Sequence, residues 1–418
     1  MDILVIGGGG REHAIIRKIK ESPDCGTVYC APGNGGIAAD AICCPEVKAT
    51  DIDGAVRLAL DKKVDFVIVA PDDPLVAGMV DAMNAAGLPA FGPNKAAAII
   101  EGSKAFSKDL MKKYGIPTAQ YEVFTDAKKA IEYVRARGEY PTVVKADGLA
   151  LGKGVIIAKD EAEAVAAITD MLEGNKFGAS GSRIVIEQFL EGPEVSVLAL
   201  TDGNVMIPLT SAMDHKRAYD LDEGLNTGGM GTIAPNPAFT PEVAEKAMQR
   251  IFLPTMEAMK KEGRTFRGCL FFGLMVVGGE PYVIEYNCRF GDPETQVVLP
   301  LMEGDLLRAM VATAKGELKT VPVSVKPGSA ACVVMASGGY PVKYESGKEI
   351  SGLDEQGQVS GATVYHAGTK RQDGKYLTAG GRVLGVTALG DTLNDALDGA
   401  YAAVQRISFE KAHYRHDI

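Results

Sequence analysis

Tyr282-Val283-Ile284-Glu285-Tyr286-Asn287-Cys288-Arg289-Phe290-Gly291-Asp292-Pro293-Glu294 is the stretch on which the reading of this chain turns. Apolar residues over 270–284 predict a strand running into it. Glu285 and Asn287 are two positions apart, which puts both oxygen-bearing side chains on one face of a strand. Two hard oxygen ligands without His or Cys suit Mg²⁺ held jointly with substrate phosphates. Arg289 continues the same parity and brings a fixed positive charge to that face, with Ile284, Tyr286 and Cys288 expected on the other. Gly291-Asp292-Pro293 is turn chemistry that stops the strand. The plainer alternative is a half-buried strand that ends in a polar loop.

The 418 residues suggest roughly three domains. A composition 46% hydrophobic and 23% charged is that of a globular chain, and a net charge of −10 argues against a nucleic-acid surface. The first six residues, Met1-Asp2-Ile3-Leu4-Val5-Ile6, read as a strand without the basic start of a signal peptide. The longest apolar run, over 269–277, has about half the length of a membrane span. Seven cysteines without a C-x-x-C pair read as reduced core thiols in a cytosolic protein. Cys288, beside the proposed metal face, is the one that draws notice.

Residues 1–100 alternate strands (3–6, 27–30, 65–70, 89–91) with helices, which predicts an open parallel sheet of doubly wound type with ligands at the strand ends. Gly7-Gly8-Gly9-Gly10 invites a dinucleotide fingerprint, but Glu12 and His13 stand where its last glycine is needed. What remains is a helix N-terminus suited to a phosphate, with Gly33-Asn34-Gly35-Gly36 at the neighbouring strand end. Over 101–122 a helix carries Lys104 and Lys108 on one face, read as a solvated stripe. Ala146-Asp147-Gly148-Leu149-Ala150-Leu151-Gly152-Lys153-Gly154 lies between two predicted strands. It fails the P-loop spacing but suits a glycine-rich hairpin closing over nucleotide phosphates, with Lys145 as the strand lysine. Glu187 and Glu194 read as surface carboxylates. Residues 210–235 look loop-rich, a helix is expected over 241–262, a linker over 322–327, and strands with a last helix over 328–418. No Ser-His-Asp, Cys-His or zinc pattern stands out, so phosphoryl transfer by positioning and charge neutralisation fits best.

Taken in order, these motifs resemble the phosphoribosylamine–glycine ligase (glycinamide ribonucleotide synthetase) family of ATP-grasp enzymes. The resemblance is carried by Gly7-Gly8-Gly9-Gly10-Arg11-Glu12-His13, Pro32-Gly33-Asn34-Gly35-Gly36, Glu101-Gly102-Ser103-Lys104-Ala105-Phe106 and the glycine-rich stretch ending at Gly154. Asn226-Thr227-Gly228-Gly229-Met230-Gly231, the stretch from Asn287 to Glu294 and the final His413-Tyr414-Arg415-His416-Asp417-Ile418 extend it over essentially the whole chain.

The resemblance implies an α/β architecture in three parts. Residues 1–101 would form a phosphoribosylamine-binding sheet domain. Residues 102–325 would form a two-part ATP-grasp unit with a mobile lid over about 123–190, and 326–418 a small mixed C-terminal domain. Lys104 and Lys145 would hold ATP phosphates under Gly148, Gly152, Lys153 and Gly154. Glu187 would meet the adenine and Glu194 the ribose. Glu285 and Asn287 would bind Mg²⁺, with Mn²⁺ left open. Asp214 and Arg289 would position glycine and the acyl phosphate, with Lys145, Asp214 and Arg289 as the catalytic set. Gly9, Gly10, Asn34 and Lys216 are the candidates for phosphoribosylamine. One departure concerns Asp72: the family usually shows Gly-Pro-Glu where this chain has Ala70-Pro71-Asp72, which leaves the sugar contact open. The implied enzyme is a cytoplasmic monomer acting on small molecules, neither on nucleic acid nor at a membrane. A sister ATP-grasp ligase and a non-enzymatic nucleotide-binding protein are the alternatives.

Overall fold

The computed structural model describes residues 1–149, 154–174 and 181–418. Strands Ile42–Cys43, Val28–Pro32, Ile3–Gly7, Phe66–Val69 and Ala90–Phe91 form, in that spatial order, the N-terminal parallel sheet. Ile3–Gly7 is buried throughout, as an inner parallel strand covered on both faces must be. The doubly wound expectation therefore holds, with Ile42–Cys43 as an additional edge strand.

Two antiparallel sheets follow, and the candidate site lies between them. The first joins Tyr121–Phe124, Ile184–Gln188, Thr142–Ala146 and Val155–Ala158 and carries helices Ala127–Arg137 and Glu161–Leu172. It has a core of its own, built from Val134, Val144, Ile168, Met171, Ile184 and Ile186. A unit with a separate core can shift against its neighbour at little cost. The second, central sheet joins Met206–Pro208, Glu194–Thr201, Gly268–Val277 and Glu280–Asn287. Its apolar side chains share continuous cores with the N-terminal sheet: Leu4 and Val67 cluster with Leu270 and Phe272, and Ile3 and Val5 with Phe271 and Leu198.

The alternation read from the sequence breaks at one residue. The register passes from Leu274 opposite Val283 directly to Gly273 opposite Glu285, so Ile284 is the extra residue of a β-bulge. Tyr286 and Cys288 are buried as expected, whereas Ile284 lines the cavity and its carbonyl takes up a lysine.

The C-terminal sheet runs Met213–Asp214, Gly231–Ala234, Ser329–Ala336, Arg382–Gly390, Thr363–His366, with helix Leu393–Val404 against it. Residues 213–234, read as loop, thus supply two of its five strands. Their short runs, two and four residues long, are rich in Gly, Thr and Asp and carry little periodic signal. The helix expected over 101–122 is two helices, Lys95–Gly102 and Lys104–Tyr114, parted at Ser103, whose hydroxyl caps the second by accepting from the Phe106 N–H at 3.1 Å. Among the described residues no helix is long and apolar enough to cross a membrane.

Candidate active site

A cavity of about 680 Å³ opens between the first antiparallel sheet and the central sheet. Its lysine-bearing wall is tied together by a chain of polar contacts. The hydroxyl of Thr118 donates to the Val283 carbonyl at 2.7 Å, and Lys108 Nζ donates to that hydroxyl at 2.7 Å. Lys108 Nζ also pairs with Glu187 Oε2 at 2.8 Å, while Glu187 Oε1 faces Lys145 Nζ at 3.0 Å. Lys145 completes the circuit by donating to the Ile284 carbonyl at 2.9 Å, the one set free by the bulge. Burial, the strongest influence on Glu187, would raise its pKa, but Lys145 and Lys108 outweigh it and keep the carboxyl below its ordinary range. Burial lowers Lys108 to about 8, against the opposing pull of Glu187. Neither residue is at the surface. The solvated stripe and the exposed carboxylate expected at Lys108 and Glu187 are corrected to a buried ion triad, only 2% exposed at each.

Lys104 opens helix Lys104–Tyr114, and its Nζ donates to the Gly148 carbonyl at 2.9 Å. Asp147, the residue before, accepts from the Ala105 N–H at 2.7 Å, from the Ser103 hydroxyl at 3.1 Å and from Arg183 Nε at 2.8 Å. A carboxylate at a helix N-terminus is favourably placed, and here it anchors the glycine-rich stretch to that helix. Gly154 lines the cavity. Gly152 and Lys153 lie outside the described residues.

The opposite wall carries the acids. Burial would raise Glu285, but Lys216, Lys145, Lys104 and Arg289 together hold its pKa below the usual value. Asn287 lines the same cavity. Lys216 Nζ bridges Glu194 Oε2 at 2.7 Å and Glu285 Oε1 at 3.9 Å. Arg289 Nη2 lies 3.5 Å from Glu101 Oε1 and 3.9 Å from Asp72 Oδ2, and its Nε is buried without a partner among the described residues. Glu101 Oε2 in turn accepts from the Cys288 N–H at 2.7 Å, which fixes the backbone between Asn287 and Arg289. Cys288 itself is a core thiol, its pKa driven far up by burial. Asp214 is pushed well above its ordinary value by burial and then by Glu294, against the opposing pull of Lys216 and Arg382, and burial likewise raises Glu294. The Oδ1 of Asp214 is buried without a hydrogen-bond partner among the described residues.

Gly9, Gly10 and Asn34 are not part of this lining. The Gly9 N–H donates to Glu12 Oε2 at 2.6 Å, and a Cβ at Gly10 would lie 2.5 Å from Gln296 Nε2. Asn34 spends its amide inside the chain: Nδ2 donates to the Gly8 and His366 carbonyls at 3.0 and 2.7 Å, and Oδ1 accepts from the Gly36 and Ile37 N–H groups at 2.9 Å. The structure brings together Lys104, Lys145, Glu187, Glu194, Asp214, Lys216, Glu285, Asn287, Arg289 and Asp72, and sets these three apart.

Three family models match the chain in succession: phosphoribosylglycinamide synthetase N domain over residues 1–101, its ATP-grasp (A) domain over 102–295 and its C domain over 330–418. The chain belongs to the phosphoribosylglycinamide synthetase family. It is 47% identical over 421 residues to the phosphoribosylamine–glycine ligase of Fusobacterium nucleatum, with 100% of this chain and 98% of the relative covered. It is 46% identical over 418 residues to that of Caldanaerobacter subterraneus, covering 100% and 99%. Among solved structures, the phosphoribosylamine–glycine ligase of Thermotoga maritima matches with a TM-score of 0.87 at 34% identity over 100% of both chains. The biotin carboxylase domain of the Hydrogenobacter thermophilus 2-oxoglutarate carboxylase, in complex with MgADP, shares the fold with a TM-score of 0.74 at 19% identity, covering 99% and 91%.

In this phosphoribosylglycinamide synthetase fold, sequence reasoning missed Lys108, Thr118, Asp147, Arg183, Glu101, Glu294 and Arg382. Arg382 comes from the C-terminal sheet, and its Nη1 donates to the carbonyls of Gly228, Gly229 and Asp292 at 2.6, 3.4 and 2.8 Å. It thereby pins two cavity-lining loops from outside. The spacing of Lys104 and Lys108 was a usable signal, since an i, i+4 pair puts both on the face that carries one cavity residue.

Proposed function

We propose that this chain joins glycine to 5-phosphoribosylamine with cleavage of ATP, giving glycinamide ribonucleotide, ADP and phosphate, as the names of its relatives over their full length suggest. The observation that carries the reading is the convergence of two lysines, an ionised Glu285 with Asn287, and Arg289 beside an acid pair in one cavity between two sheets. Glycine would lie with its ammonium against Asp214 and Glu294, which that charge would ionise, and its carboxylate toward Arg289. The carboxylate oxygen attacks the γ-phosphorus of ATP in line, and ADP leaves. Lys104 and Lys145 neutralise charge on the phosphates. The amine of phosphoribosylamine then attacks the carbonyl of glycyl phosphate, and phosphate departs. Arg289 steadies the oxyanion.

Glu285 and Asn287 fit Mg²⁺, because they offer hard oxygens and leave positions for nucleotide oxygens. Among the described residues no group of three or more His, Cys, Asp or Glu would hold a metal alone, which agrees with a site completed by substrate. Bound there, the ion would draw charge from the transferring phosphoryl group. Mn²⁺ would serve in its place. The division of labour follows the parts 1–101, 102–325 with its lid over about 123–190, and 326–418, in a cytoplasmic monomer. Glu194 would take the ribose of ATP, and Asp72, Lys216 and the loops at Gly9, Gly10 and Asn34 would receive phosphoribosylamine.

The test is ADP release from MgATP with glycine, with and without freshly generated phosphoribosylamine. Release that needs both substrates, with glycinamide ribonucleotide formed in equal amount, is expected. ADP formed without glycine, or none with both present, would overturn the reading. Glu285→Ala should abolish turnover while leaving the melting temperature nearly unchanged, and near-normal activity at limiting Mg²⁺ would remove Glu285 from the metal site.

A further inference from the structure

Lys108 is a buried cation for which the reaction as described has no use. It lines the cavity beside Lys145 and comes from a different element: Lys108 from helix Lys104–Tyr114, Lys145 from strand Thr142–Ala146. Each takes one oxygen of the same carboxylate, Glu187, and each is anchored at its far side to one of two consecutive carbonyls, Val283 through Thr118 and Ile284 directly. Those carbonyls immediately precede Glu285. The circuit therefore spans the first antiparallel sheet, the helix and the central sheet at the point where the metal strand bulges.

The charges decide what this circuit does. One carboxylate between two ammonium groups leaves a net positive charge. Without Lys108, Glu187 would pair with Lys145 alone and cancel it. A buried ion pair at 3.0 Å has little charge left to offer a phosphate. Because both Glu187 oxygens are already engaged by ammonium groups, this carboxylate serves as a pivot between the lysines in the structure described. We propose that Lys108 is a positioning residue of the nucleotide site, which by occupying the second oxygen of Glu187 leaves Lys145 charged and aimed at the phosphates of ATP. This rests on the reading of the cavity as an ATP site. A triad that served stability alone would behave differently: removing one member would lower the melting temperature and leave the Kd for MgATP unchanged.

The experiment uses the full chain and three variants, Lys108→Met, Glu187→Gln and the double variant, with MgATP affinity by calorimetry and steady-state kinetics read on each. Lys108→Met is expected to raise the KM and Kd for ATP about tenfold and to leave the KM for glycine unchanged. The double variant should recover most of that loss, because Lys145 no longer faces a carboxylate. Unchanged ATP affinity in Lys108→Met, or a double variant as weak as Lys108→Met, would overturn the proposal. Should Lys108→Met not fold, Lys108→Gln keeps a donor toward Thr118 and Glu187 without the charge and carries the same comparison. Wild-type protein that binds MgATP but forms no product from glycine and phosphoribosylamine would sink the ligase reading and leave the affinity comparison intact.

Discussion

The pH dependence of Lys108 follows from its surroundings. It faces Glu187 and Lys145, with the ring of Tyr121 5.8 Å away. Burial brings its pKa to about 8. As pH rises through that value the ammonium loses its proton, and Glu187 turns its whole charge on Lys145. The kcat/KM for ATP should therefore fall on the alkaline side with an apparent pKa of about 8, a limb that Lys108→Met should lack. A flat wild-type profile to about pH 9 would refute it. The cavity position of Glu285 was legible from its spacing to Asn287 and Arg289 within one short stretch. For Lys108 the spacing to Lys104 marked the face, but its burial depends on Glu187, a partner on another sheet brought near only by the fold. Asp214 lies between these cases: its expected role came from the resemblance, and its raised pKa from burial and Glu294.

At the scale of elements, the long apolar strands and capped helices were readable, and the short strands were not. Ile3–Gly7 and Gly268–Val277 announce themselves by composition. Gly231–Ala234 exists because a strand far along the chain, Ser329–Ala336, pairs with it, and Met213–Asp214 pairs in turn with Gly231–Ala234. Glycines between them allow close approach of the backbone, and one position shows what it approaches. Gly229 has φ +113°, and a Cβ there would lie 2.5 Å from both Asp214 Oδ1 and Pro293 Cδ. Gly229→Ala must either displace Asp214 or shift the turn at Pro293, both within the cavity wall. It should destabilise the protein by about 1–3 kcal/mol and lower kcat/KM for glycine more than that for ATP. Equal losses for both substrates would show that the loop acts on the whole site.

The whole molecule is held at its N- and C-terminal parts by a junction of two histidines that the sequence did not single out. His13 Nδ1 accepts from the His366 N–H at 2.8 Å and its Nε2 lies 3.1 Å from Asp40 Oδ2. His366 reaches the Gly357 carbonyl at 2.8 Å and Thr369 Oγ1 at 3.0 Å. Burial, first, lowers both pKa values, that of His366 to about 3. In the unfolded chain each takes a proton below about pH 6.5, whereas the folded chain resists. Stability from this junction is complete above that pH and is lost as pH falls below it, at up to about 1.4 kcal/mol per pH unit for each histidine. The melting temperature should drop between about pH 7 and pH 5, and less so in His366→Gln; a flat profile over that range would exclude the junction as the cause. The sheet shared across the chain has another consequence, in time. A ribosome releases Gly231–Ala234 before it has made Ser329–Ala336, the strand that pairs with it. At about 5–20 residues per second that wait is roughly 5 to 20 s. For that interval the nascent chain carries an unpaired strand edge, the kind of surface on which neighbouring polypeptides on one message can associate.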